Sequence, residues 1–180
     1  MLKPQDIYVL LKLVVIGERP WSYAELAVEL GLSPSQLHAS VKRTFEAQLA
    51  VKEGDRIVPN FRNLEEFLIH GLRHVFWAKP GPVTRGVVTS SSAPSFDNRL
   101  VALDSELPSV WPDPEGEDRG IAIAPLYKNA PQASRKDPKF YEILTLVDAI
   151  RAGRAREREI AIKELKKRFR NYASYNKSQY

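Results

Sequence analysis

The stretch Ser22-Tyr23-Ala24-Glu25-Leu26-Ala27-Val28-Glu29-Leu30-Gly31-Leu32-Ser33-Pro34-Ser35-Gln36-Leu37-His38-Ala39-Ser40-Val41-Lys42-Arg43 holds two helix starts and one stop. Ser22 with Glu25 three residues on forms a capping box, in which the serine hydroxyl and the glutamate carboxylate satisfy each other's free backbone amides. Gly31 supplies the left-handed residue that turns a chain out of a helix. Ser33 then caps a second helix whose first turn contains Pro34, where a missing amide hydrogen is harmless. Ala27 is small enough for two helices to cross over it, and Leu26, Leu30, Leu32 and Leu37 fix the crossing angle. The charges of this corner nearly cancel, with Glu25 and Glu29 set against Lys42 and Arg43.

Outward from the corner, residues 5–17 are dense in apolar side chains and predict a largely buried helix after Pro4, stopped by Gly17 and Pro20. Leu37, Val41, Phe45 and Leu49 form an inner stripe for the helix 34–49. Residues 51–59 read as a hairpin around Glu53-Gly54-Asp55, and 61–77 as a fourth helix lined by Leu64, Phe67, Leu68, Leu72 and Val75. Together these residues resemble the helix-turn-helix pattern, and the hairpin makes residues 5–77 similar to a winged-helix domain of the MarR-like kind. One position departs from it: the apolar site expected near Ser40 is met by the neighbouring Val41.

The resemblance implies that the helix 34–49 enters a major groove while the hairpin grazes the backbone. Its outward side would offer Ser33, Ser35, Gln36, His38, Lys42 and Arg43, with Lys52 and Arg56 flanking the hairpin turn. Gln36 suits an adenine edge, Arg43 or Lys42 a guanine or a phosphate, and the two serines a phosphate at the helix start.

Residues 78–137 have a different texture. Eight of the thirteen prolines fall there and forbid long helices, so an extended segment is expected, with short strands at 86–88 and 121–123. Thr84 to Pro94, an arginine beside a glycine and then several hydroxyls, could cradle an anion, but no base stands ready to activate a serine. From Pro138 the helical period returns in Phe140, Ile143, Leu144, Val147 and Ile150. After a mixed-charge turn at 154–159 it resumes in Ile160, Ile162, Leu165 and Phe169. Both stripes can pack within the chain or against a second copy.

The chain carries a formal net charge of +5. Residues 1–77 hold nine basic and nine acidic side chains, 78–137 seven and eight, and 138–180 eleven and five, so the surplus lies at the end. Lys163, Lys166, Lys167, Arg168 and Arg170 form an auxiliary basic cluster that can add phosphate affinity. There is no cysteine, hence no disulfide, thiol nucleophile or cysteine zinc site. His70 and His74 have metal-ligand spacing, but no Glu follows His70 and no third ligand is evident. No metal, cofactor or catalytic site is expected. The absence of a long apolar run and of a secretory leader predicts a cytoplasmic protein with no membrane association.

The fold class expected is therefore mainly α with a small β-hairpin. A winged helix-turn-helix domain (1–77) is followed by a Pro-rich extended segment (78–137), a C-terminal helix or helix pair (138–172) and a flexible tail (173–180). The function expected is that of a non-enzymatic, sequence-specific transcriptional regulator, a homodimer on double-stranded DNA. The alternative is a protein–protein module acting through the Pro-rich segment. The layout resembles that of antitoxins that neutralise a partner toxin, such as one of the nucleotidyltransferase type, and regulate their own operon.

Overall fold

The computed structural model describes residues 1–96 and 107–177 and is mainly helical, with a two-stranded and a three-stranded sheet. Helix α1 (Pro4–Ile16) lies at its centre, and every side chain from Asp6 to Val14 is buried. A helix apolar all round must be enclosed on all sides. Its two buried charges, Asp6 and Lys12, must therefore find partners. Helices α2 (Tyr23–Leu30) and α3 (Pro34–Glu46) follow, joined through Gly31, whose φ of +69° is the left-handed conformation the turn needs. The capping boxes at Ser22 and Ser33 are both formed.

Strands β1 (Ala50–Glu53) and β2 (Arg56–Pro59) pair antiparallel, with Glu53 opposite Arg56 across the Gly54 turn. Helix α4 (Phe61–Glu66) runs through a π-helical turn (Phe67–Gly71) into α5 (Leu72–Val75), burying Leu64, Leu68 and Leu72. The wider turn shifts the helix face part-way along, so Val75, expected on the inner stripe, is exposed.

The proline-rich region carries more regular structure than the sequence suggested. Strands β3 (Val83–Val88), β4 (Ser109–Pro112) and β5 (Asp118–Ala122) each pair with the other two: β3 is antiparallel to both, and β4 and β5 are parallel. The buried Val110 side chain lies against Gly86 and Gly120 in this tight closure, and a Cβ on Gly86 would come within 1.9 Å of the Trp111 carbonyl oxygen. The Trp111 indole Nε1 donates to Asp148 at 2.6 Å and the Thr89 hydroxyl donates to the same oxygen at 2.8 Å, fastening this unit to the helix that carries Asp148.

Helix α6 (Ala130–Lys136), with Pro131 in its first turn, was not expected. Helices α7 (Pro138–Ala152) and α8 (Ala155–Lys177) form the pair suggested by the returning period. All of the charged run at 154–159 but Arg154 is helical rather than a turn, because Glu157 reaches back to accept from the Arg154 backbone amide at 2.8 Å and caps α8. Residues 178–180 of the expected tail lie outside the described residues. The apolar stripes of α7 and α8 face inward: Phe140, Ile143, Val147, Leu165 and Phe169 are all in the core. Tyr8 joins the regions, its ring tilted against Tyr127 and Phe140 while its hydroxyl donates to the Leu30 carbonyl at 3.2 Å.

Candidate nucleic-acid interface

Helix α3 buries Leu37, Ser40, Val41 and Thr44. Its opposite side, with Ser35, Gln36, His38, Ala39, Lys42 and Glu46, is exposed. That division follows from the 3.6-residue period, and it leaves a short polar row of low charge facing outward.

Several of the candidate side chains already have work within the chain. The Ser33 hydroxyl accepts from the Gln36 amide at 3.2 Å, and the Gln36 side-chain oxygen accepts from the Ser33 amide at 2.9 Å. The Ser33 and Ser35 hydroxyls lie 3.1 Å apart. The start of α3 is thus capped by its own residues, and a phosphate there would have to displace Gln36. Arg43 is turned the other way. Its guanidinium grips the fully buried Asp6 carboxylate through Nε at 2.8 Å and a terminal nitrogen at 2.7 Å. These bonds hold its pKa above the ordinary arginine value.

His38 stacks on Tyr23 with ring centroids 3.5 Å apart and planes 12° from parallel, and Trp21 meets Tyr23 edge-on at 5.3 Å. This aromatic ledge at the start of α2 was missed in the sequence. A possible signal was the pair of aromatics around an N-cap serine. Burial raises the Tyr23 phenol above its usual pKa, so the ring stays neutral.

On the hairpin, Lys52 is exposed. Arg56 instead folds back to the end of α1, 3.5 Å from the Gly17 carbonyl and 3.8 Å from Glu18. The structure therefore brings Ser35, His38 and Lys42 onto one outward face of α3, with Lys52 exposed on the strand after it. It draws Gln36, Arg43 and Arg56 into internal bonds.

The two glutamates of α2 are also accounted for. Glu25 accepts from the Ser22 backbone amide and hydroxyl, which hold its carboxyl below the ordinary value. Glu29 faces Lys12 at 2.9 Å and Arg19 at 2.8 Å; burial opposes its ionisation, but these bonds keep its carboxyl below the ordinary value.

In the auxiliary cluster Lys163, Lys166, Lys167 and Arg170 are exposed. With the exposed Arg156 they share one side of α8, since offsets of seven, ten, eleven and fourteen residues return close to the same face. Arg168 points elsewhere, bonded to Glu142 and to Glu164. Lys166 and Arg170 border a groove of about 560 Å³ against α4, across from Arg62 and His70. His70 and His74 are both exposed, and among the described residues no group of three His, Cys, Asp or Glu is placed to hold a metal ion. No helix among the described residues is long and apolar enough to cross a membrane.

No family model matches this chain, and neither a curated protein nor a solved structure matches it.

Proposed function

We propose that this chain is a non-enzymatic DNA-binding regulator that presents α3 of a winged helix-turn-helix to the major groove, with the β1–β2 hairpin beside it. The observation that carries the reading is the outward face of α3. Ser35, His38, Ala39 and Lys42 stand exposed in a row on a helix whose other side is locked into the core. Short side chains at the start of such a helix let it approach base edges closely, and a lysine one turn on reaches a phosphate. Lys52 on the hairpin adds a second phosphate contact. With so few cations, one copy binds weakly; the stripe on α8 or a second copy supplies the rest. The apolar stripes of α7 and α8 are spent within the chain, so a second copy docks through another surface.

The test is fluorescence anisotropy of duplex DNA from upstream of its own gene, measured across a salt series. Lys42→Ala and Lys52→Ala should each weaken binding and lower the salt slope by about one. If both leave affinity and slope unchanged while neutralising Lys163, Lys166 and Lys167 abolishes binding, α3 is not the DNA-facing element.

A further inference from the structure

The antiparallel pairing of β3 with β5 sets Arg85 directly opposite Arg119, and Val83 directly opposite Ile121. Alternation along a strand puts these four on one side of the ribbon. That side faces out: both arginines are exposed and Val83 is 44% exposed, whereas Gly86 and Gly120, on the other side, are buried. Like charges directly across an antiparallel pair repel. Among the described residues neither arginine forms an ion pair that would offset the repulsion.

Among the described residues, three of the nearby acids are engaged or turned away. Asp113 and Glu115 both pair with Arg135. Asp118 has the opposite parity and acts on Tyr141. Glu117 shares the parity of Arg119 but forms no ion pair with it.

Exposed apolar side chains lie on this ribbon and on the chain that leads into it. Trp77 is 64% exposed on the connection that leads into β3, with Val75 just before it. The Pro108 carbonyl accepts from the Ile121 amide at 2.8 Å and lies against Gly120, which brings the half-exposed Leu107 alongside β5. Val83 and Leu107 thus fall on or beside one small sheet that also carries two arginines without an ion pair among the described residues, and Val75 and Trp77 lie on the chain that leads into it. An exposed apolar cluster rimmed by charge marks an interaction surface. Tryptophan and arginine are the residues that dominate the energetics of protein interfaces.

We infer that the outer face of the β3–β5 ribbon, with Trp77 and Leu107 at its margins, docks an acidic protein segment. The segment's carboxylates would bridge Arg85 and Arg119, and its apolar side chains would cover Val83, Ile121 and Trp77. Charge complementarity selects an anionic occupant, since a carboxylate can accept from an arginine at two points and would relieve the cross-strand repulsion. The apolar margin selects a protein over a nucleic acid, whose backbone is matched by a row of cations such as that on α8. This surface is separate from α3, so the inference does not depend on the DNA reading.

The experiment titrates the isotope-labelled full chain with three probes: a short peptide alternating glutamate and leucine, a glutamate-only peptide of the same length, and a single-stranded oligothymidine. The alternating peptide should bind tightest, shift the amides of Val83, Arg85, Arg119 and Ile121, and move the Trp77 emission to the blue. The double variant Arg85→Ala/Arg119→Ala should lose about tenfold in affinity for it, with thermal stability kept or raised because the repulsion is gone. The proposal is overturned if the oligonucleotide binds this ribbon more tightly than the alternating peptide. Undiminished peptide affinity in the double variant also overturns it. So does peptide-free self-association that the double variant abolishes, which would make the occupant a second copy of this chain.

Discussion

Arg43 on α3 and Asp6 on α1 are joined by two parallel hydrogen bonds of 2.8 and 2.7 Å, and the carboxylate they hold is fully buried. Ser40 completes the arrangement, its hydroxyl 3.2 Å from the guanidinium and accepting from Gln5 at 2.8 Å. This polar cluster explains why a serine stands where an apolar residue was expected, since its hydroxyl accepts from both Gln5 and Arg43. It sets the tilt of α3 on α1, and through it the direction in which Ser35, His38 and Lys42 face.

Arg43→Ala should therefore act on stability. Removing one member of a buried pair strands the other, at a cost of about 3 kcal/mol, the low end of the usual range because the guanidinium is still partly in water. Urea denaturation should show this loss, whereas Lys42→Ala should stay within about 0.5 kcal/mol of the parent. A small loss for Arg43→Ala together with a large drop in DNA affinity would return Arg43 to the DNA-facing set.

Lys12 is the second buried charge of α1 and connects three helices. Its Nζ lies 2.9 Å from Glu29 of α2 and 2.8 Å from Asp137, whose other oxygen accepts from the Phe140 amide and caps α7. It also sits 5.3 Å over the Phe140 ring. Lys12→Met should cost roughly 3 kcal/mol, because Asp137 loses its cation and Glu29 is left with Arg19 alone. Glu29→Gln should cost about 1 kcal/mol, since Asp137 still holds the ammonium. Equal losses in the two variants, read by urea denaturation, would mean that Lys12 does not join the three helices.

Much of this architecture was legible because the signals are local. Caps at Ser22 and Ser33, the turn at Gly31 and the hairpin turn at Gly54 depend on neighbours a few residues away. What was not legible depends on distant partners. Asp6 and Lys12 stand out in an apolar helix as buried charges, but nothing in the sequence says that their partners are Arg43, Glu29 and Asp137. Helical phase places Arg43 and Gln36 outward, and phase cannot reveal that one reaches inward and the other bends back to cap its own helix. The strand β4 was hidden because Trp111-Pro112 lies among prolines that mark only an extended segment. It pairs there only because β3 and β5 close on it from both sides.

Asp148 gives the fold a pH dependence of unusual sign. Its burial pushes the carboxyl above its ordinary value, despite the opposing influence of Arg151, Thr89 and Trp111. Between the unfolded and folded pKa values the native state holds more protons than the unfolded one, so this group's contribution to stability falls as pH rises above about 4. Asn at this position keeps an oxygen to accept from Thr89 and Trp111 but does not titrate. The parent chain should therefore lose stability relative to Asp148→Asn as pH rises from about 4 towards neutrality. The measurement is urea denaturation of both proteins at several pH values; a difference that grows in favour of the parent over that range would refute the assignment.

The turn between α2 and α3 is covered by a residue from far along the chain. The Asn129 side-chain amide donates to the Leu30 carbonyl at 3.3 Å, and a Cβ on Gly31 would come 2.2 Å from its nitrogen. Gly31→Ala thus meets two obstacles, the left-handed backbone, worth about 1 kcal/mol, and the clash with Asn129. In the parent background the substitution should cost roughly 2–3 kcal/mol. In an Asn129→Ala background only the backbone cost remains, so a double-mutant cycle should give a coupling of about 1 kcal/mol or more. Additive losses would show that Asn129 does not rest on the turn. A strong coupling would mean that the region before α6 holds the angle at which α3 leaves α2, and therefore the pose of the face proposed to meet DNA.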